Sequence, residues 1–156
     1  MDTRRAIGRV VAVEGAEVTA VLEEAAVGDV AIGDMVVLAS PRSLVFGLIQ
    51  ALTQETAGAM ARLALLGESL GPEEENFLFQ RGVSISPRLG AVVRLGVTAD
   101  LARIYAKPTK SSVVVGTLHQ DPEVPAYVVV DDFLGKHFAV LGTTGTGKSC
   151  TVAVLL

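Results

Sequence analysis

With 156 residues, half of them apolar and 19% charged, the chain can bury a packed core as one ordinary domain or two small pieces, which excludes wholesale disorder. No uncharged apolar stretch is long enough to span a bilayer, and MDTRRAIGRV has no hydrophobic signal core; a soluble, cytoplasmic protein without membrane contact is expected. The lone cysteine, Cys150, leaves neither an intrachain disulfide nor a zinc cluster to assemble.

The net charge of -4 argues against a dedicated nucleic-acid clamp, yet the charge is uneven. Glu14, Glu17, Glu23, Glu24, Asp29 and Asp34 fall between Val10 and Pro41 with no basic residue among them. Arg81, Arg88, Arg94, Arg103, Lys107 and Lys110 then face Asp100 alone. An ordinary solvated surface accounts for this; opposite fields that align neighbouring subunits or meet a polyanion are the alternative.

In chain order, IGRVVAV and EVTAVL read as strands joined by a turn at Glu14-Gly15-Ala16. AAVGDVAIGDMVVL carries two Gly-Asp pairs that mark reversals. Gly47 inside SLVFGLIQAL predicts a bulge or a close backbone approach. ARLALLGESL is taken as strand, because Gly67 and Gly71-Pro72 would cut a helix short. PEEENFLF is an acidic loop leading into the strand FLFQRGVSI, and PRLGAVVRLG is a further turn and strand. TADLARIYA alone looks helical, with Thr98 as its cap.

Many short strands spaced by turns predict a small closed barrel, since closure hides the unpaired edges. HQDPEVPAY, with its two prolines, reads as a connector, and the boundary between barrel (1–118) and a second domain (119–156) is expected there. YVVV and FAVL are apolar on both faces, which suits strands of an α/β sheet. The fold class is therefore mainly β: a small N-terminal β-barrel followed by the start of an α/β domain.

GTTGTGKS, residues 142–149, matches the phosphate-loop pattern G-x-x-x-x-G-K-[ST] in full, between a strand-like run and the helix-forming KSCTVAVLL. Gly142, Gly145 and Gly147 lack a β-carbon, so the backbone can turn its amides toward one anion. The amides of Gly145 through Ser149 and the positive end of the following helix suit phosphates. Lys148 is the candidate for the β- and γ-phosphate oxygens and for stabilising charge in catalysis, and the Ser149 hydroxyl for Mg²⁺. Thr143, Thr144 and Thr146 fill the variable places. Cys150 is read as a small buried neighbour of the loop rather than an acidified thiol. His137 is assigned to packing or surface, and His119 has no ligand partners. Asp131 and Asp132 are read as caps of DDFLGK, not as the magnesium acid that hydrolysis requires. The remaining catalytic groups are absent from the chain. It is expected to be a piece of a larger ATPase and not to turn over alone.

The IGRVVAV start, VGDVAIGDMVVL, FQRGVSISPRLGAVV and above all VGTLHQDPEVPAYVVVDDFLGKHFAVLGTTGTGKSC resemble the bacterial branch of the HerA-type ATPases, which carry a DUF87 or helicase HerA central domain. The resemblance implies a barrel like that heading rotary ATP synthase subunits, then a RecA-like motor binding ATP and Mg²⁺. It implies hexameric rings, double-stranded DNA as the translocated substrate, and a NurA-type nuclease or other effector as partner. Two other readings stay open: a different barrel-headed ring ATPase, rotary or secretory, and a non-enzymatic barrel adaptor with an unused loop.

Overall fold

The computed structural model describes every residue except 1–4, 41–42, 57, 71–77, 138 and 156. Two compact units divide between Ile104 and Tyr105. Among its described residues the first contains seven strands: β1 (Ala6–Glu14), β2 (Glu17–Leu22), β3 (Met35–Ala39), β4 (Ser43–Glu55), β5 (Gly58–Leu70), β6 (Leu78–Arg81) and β7 (Val92–Leu95). Six of them form a ring in the order β1-β2-β5-β4-β3-β7, and β7 returns to β1. Each pairing is antiparallel.

The ring closes where β2 meets β5, with Glu17 opposite Ala64 through Val21 opposite Met60. The predicted closed barrel is therefore present, and β6 is an addition lying on the far part of β5.

Alternation along each strand explains the core. In β2, Val18, Ala20 and Leu22 are buried, whereas Glu17 is exposed and Thr19 and Val21 are half-buried. Val10, Val36, Leu38, Val45, Ile49, Leu63 and Val93 meet them inside the ring. The inner volume is filled by aliphatic side chains, so a small six-stranded ring closes without a channel. Val37 and Phe46 are also fully buried but stand apart from that inner cluster. Phe79 of β6 meets Phe46 edge-to-face at 5.8 Å, a favoured aromatic geometry.

The Gly47 expectation holds in both its forms. The β4–β5 register shifts between Phe46 and Gly47 and again between Ile49 and Ala51, bending the two long strands around the ring. A β-carbon at Gly47 would lie 2.8 Å from the Ala64 carbonyl oxygen. The first Gly-Asp pair does not make a simple reversal. It ends a 3-10 helix, Glu24–Asp29, that buries Ala26. The second, Gly33-Asp34, is a turn in which the Ala31 amide donates to Asp34 Oδ2 at 2.8 Å. The acidic stretch Pro72–Asn76 lies outside the described residues.

Among the described residues of this unit two carboxylates are buried, and both are satisfied. Glu68 of β5 accepts from Ser43 Oγ at 3.2 Å, Gln80 Nε2 at 3.1 Å and the Ser84 amide at 2.9 Å, and also from the Ser84 hydroxyl. Burial alone would raise its pKa, but these hydrogen bonds, led by Ser84, outweigh it and hold Glu68 below the ordinary carboxylate range. Asp100 lies in α1 (Thr98–Ile104). It receives Arg94 in a fork, Nη1 to Oδ2 at 2.6 Å and Nη2 to Oδ1 at 3.2 Å, and accepts from the Val97 amide at 3.0 Å. Burial opposes ionisation here too, and the Arg94 guanidinium with the Val97 amide overcomes it, so the Asp100 pKa is lowered. The lone acid of the basic segment thus ties the only helix predicted in this region to strand β7.

A group whose pKa falls on folding stabilises above its unfolded pKa and loses that contribution as pH drops through the folded one. Urea unfolding midpoints of the barrel should therefore be flat near neutrality and decline below about pH 4. Arg94→Met leaves Asp100 buried and unpaired, and should cost about 3–5 kcal/mol in the same measurement. Arg5→Met, which removes an exposed pair with Asp29 at 3.9 Å, should leave the midpoint unmoved.

Candidate functional site

The second unit, Tyr105–Leu156, carries β8 (Ser112–Thr117), β9 (Pro125–Val129), α2 (Val130–Leu134) and α3 (Lys148–Leu155). β8 and β9 pair antiparallel, from Ser112 opposite Val129 to Thr117 opposite Pro125. Of the stretch read as a connector, residues 119–124 form the turn of this hairpin and the rest opens β9. The Leu118 amide donates to the Val124 carbonyl at 2.9 Å, and the Val124 amide to Asp121 O at 3.1 Å. Asp121 Oδ1 also takes the Glu123 amide at 3.0 Å. Asp and Pro in succession are turn chemistry as well as linker chemistry, and short-range hydrogen bonds decide for the turn.

Asp131 and Asp132 do not cap α2. The N-cap position is Val129, with no side-chain hydrogen bond, and both acids lie in the first turn, where their charge favours the helix start. Asp132 also faces Lys110 at 3.5 Å across exposed surface. Of the FAVL run, Phe138 is outside the described residues, and 139–141 carry no strand assignment. Leu141 is 89% exposed. An apolar extended segment becomes a strand by sharing a ladder, and neither described strand of this unit pairs with it.

Residues 142–149 form a loop that turns into α3. Gly145 and Gly147 have φ of 86° and 81°, the left-handed region where glycine carries no steric cost. A β-carbon on Gly142 would stand 2.8 Å from Thr146 Oγ1. The loop is organised around one backbone oxygen. Thr143 O accepts Thr146 Oγ1 at 2.8 Å and Lys148 Nζ at 2.5 Å. The Thr146 amide approaches the same oxygen at 3.4 Å. Lys148 therefore arches back over the loop that precedes it.

Beyond the loop, the Thr151 amide and hydroxyl both donate to Gly147 O, at 2.9 Å and 3.1 Å. Val140, Lys148, Ser149, Val152 and Ala153 line an open hollow against the first turn of α3. Gly142, Thr143, Thr144, Gly145, Thr146, Gly147, Ser149 and Cys150 are all exposed, and Lys148 is half-buried. The segment thus has an ammonium at a helix start beside a glycine-turned loop, an arrangement that attracts an anion. His119 and His137 are exposed and lie outside the loop. Among the described residues, no three His, Cys, Asp or Glu side chains gather as a metal cluster.

Cys150 corrects the sequence reading: it is exposed rather than buried. Thr151 and the Thr143 carbonyl were missed. The first could be found from its position four residues after Gly147, where a hydroxyl reaches back along a helix. The second is a main-chain role that side-chain identity does not encode.

Residues 113–156 match the family described as helicase HerA, central domain (DUF87). The HerA-type resemblance read from the sequence is therefore a shared sequence. The chain is also 35% identical over 103 residues to the DNA double-strand break repair helicase HerA of Pyrococcus furiosus, an alignment spanning 58% of this chain. It covers only 18% of that relative's length. Among the described residues no helix is long and apolar enough to cross a membrane.

The folded chain should react stoichiometrically at Cys150 with an aromatic disulfide reagent and no denaturant. A thiol that appears only on unfolding would contradict its exposure.

Proposed function

We propose that this chain is the barrel and the beginning of the motor domain of a HerA-type, ATP-driven translocase of double-stranded DNA. The observation that carries the reading is the loop 142–149, with glycines at positive φ and Lys148 at the start of an eight-residue helix, inside the segment that matches the HerA central domain. The residues present fit a nucleotide triphosphate with Mg²⁺. Glycine at 142, 145 and 147 lets the backbone approach phosphate oxygens closely.

In this reading the amides of Gly145–Ser149 hold the phosphates, Lys148 neutralises the terminal ones and Ser149 offers its hydroxyl to the metal. Bound ATP would supply the phosphoanhydride whose cleavage drives movement. Lys148 would exchange its hydrogen bond to the Thr143 carbonyl for one to a phosphate oxygen, so that the ammonium keeps an acceptor without ligand and gains a counter-charge with it. Cys150, next in the helix, adds its amide to the same end. Asp131 and Asp132, in the first turn of α2, are not assigned to the metal.

The same reading makes the complete protein a hexameric ring in the cytoplasm, meeting a NurA-type nuclease or other effector. It rests there on likeness to the HerA family rather than on any contact in this chain.

Lys148→Ala in the complete protein should weaken ATP binding by roughly 10- to 100-fold in calorimetric titration, as loss of a charged hydrogen-bond donor implies. Unchanged affinity would sink the nucleotide reading. ATPase activity that no duplex length or end stimulates would remove DNA as the substrate.

A further inference from the structure

We infer that Thr146 is a positioning residue of the loop: its hydroxyl keeps the Thr143 carbonyl hydrogen-bonded when Lys148 leaves that oxygen for a phosphate. This role rests on the nucleotide reading of residues 142–149, in whose pattern position 146 is free to vary.

Thr143 to Thr146 form a four-residue turn with Gly145 third, at φ 86°, the place that a type II turn gives to glycine. Such a turn closes from its fourth amide to its first carbonyl. Here that bond is long, 3.4 Å from Thr146 N to Thr143 O, beyond the usual range for an amide donor. The Thr146 hydroxyl closes the turn instead, donating to the same oxygen at 2.8 Å. Gly142 leaves it the space. A β-carbon at 142 would stand 2.8 Å from Thr146 Oγ1 and 3.6 Å from the Lys148 stem, so the hydroxyl is what an alanine there would press on first.

Lys148 Nζ shares the Thr143 oxygen at 2.5 Å. A carbonyl oxygen has two lone pairs, and the hydroxyl and the ammonium occupy both. When Lys148 turns to a phosphate, the ammonium gains a new acceptor, but the phosphate oxygens bring Thr143 no donor. With threonine at 146 the carbonyl retains one at ordinary length. With valine, which keeps the branched shape and loses the hydroxyl, it would retain only the amide at 3.4 Å. Departure of the lysine would then cost most of a hydrogen bond. Valine should therefore hold Lys148 more firmly on Thr143 in the empty loop and weaken nucleotide binding. Serine, which keeps the hydroxyl, should do neither.

Two measurements on the complete protein test this, with circular dichroism checking that each variant is folded. In calorimetric titration Thr146→Val should weaken ATP binding by about 3- to 10-fold, the range of one net hydrogen bond, and Thr146→Ser should bind as wild type does. In a Lys148→Ala background, where no ammonium has to leave, Thr146→Val should change affinity by less than about twofold, the scatter of independent substitutions. A hydroxyl that only stiffens the turn would cost the same in both backgrounds. The second measurement uses no nucleotide. An amine-acylating reagent is applied briefly, and modification of Lys148 is read by peptide mass spectrometry against the exposed Lys107 and Lys136. Thr146→Val should slow acylation of Lys148, whereas a merely loosened turn would hasten it. Lys148→Ala binding ATP as tightly as wild type would sink the nucleotide reading, and this role with it. A loss of affinity at Lys148→Ala, but with equal losses for Thr146→Val in both backgrounds or with Lys148 acylated no more slowly, would overturn the role of Thr146 alone.

Discussion

The pairing of β2 with β5 is the constraint on which the first unit depends. Without the five residue pairs from Glu17–Ala64 to Val21–Met60, the six strands would be an open sheet with two unpaired edges and half of their aliphatic side chains in water. Closure makes one face an interior. It also sets what every neighbouring feature must do. The register shifts in β4 and β5 exist to curve long strands back to β2, and the 3-10 segment covers the open end near Leu22. The Arg94–Asp100 fork then attaches α1 to the ring. The energy behind closure is aliphatic burial, with each inward Leu, Ile or Val contributing about 1.5–3 kcal/mol. The polar pins select the arrangement, because each buried carboxylate is tolerable only where its donors already stand.

The second unit follows a different logic. A two-stranded hairpin, two short helices and a glycine loop have few interior positions to share, and its apolar side chains show it. Val113, Val114 and Val115 of β8 are each more than two-fifths exposed. The loop at 142–149 keeps its shape through bonds within itself, from Thr146 and Lys148 to one carbonyl. A loop conformation of this kind is local, which is why a short stretch of sequence can specify it.

Legibility from sequence followed the same division. The barrel could be read because alternating burial, positive-φ turns and interior glycines leave direct marks: Gly15 in the first hairpin, Gly47 at a bulge, Gly90 before β7. The order of strands around the ring left no such mark, since it depends on distant segments finding each other. Buried polar partnerships were equally hidden. Asp100 stood out as one acid among six bases, but nothing in the letters said that Arg94 would fork onto it. Nor did Glu68 differ in appearance from the surface glutamates. In the candidate site, GTTGTGKS was evident by residue type, while its main-chain acceptor was not. HQDPEVPAY was mistaken for a connector because prolines serve turns and linkers alike, and Asp131 and Asp132 for caps because acids favour both the cap and the first turn.

The resting place of Lys148 has a consequence for how such a loop meets its ligand. The ammonium sits on the Thr143 oxygen at 2.5 Å, so its hydration shell is already partly stripped and its side chain already ordered. Arrival of an anion is then a substitution of one oxygen for another. The ammonium keeps its full charge, because a backbone carbonyl is a neutral acceptor, and the rearrangement required is small. In the proposed reading, the loop therefore carries its own stand-in acceptor for the lysine, placed by the backbone rather than by any side chain.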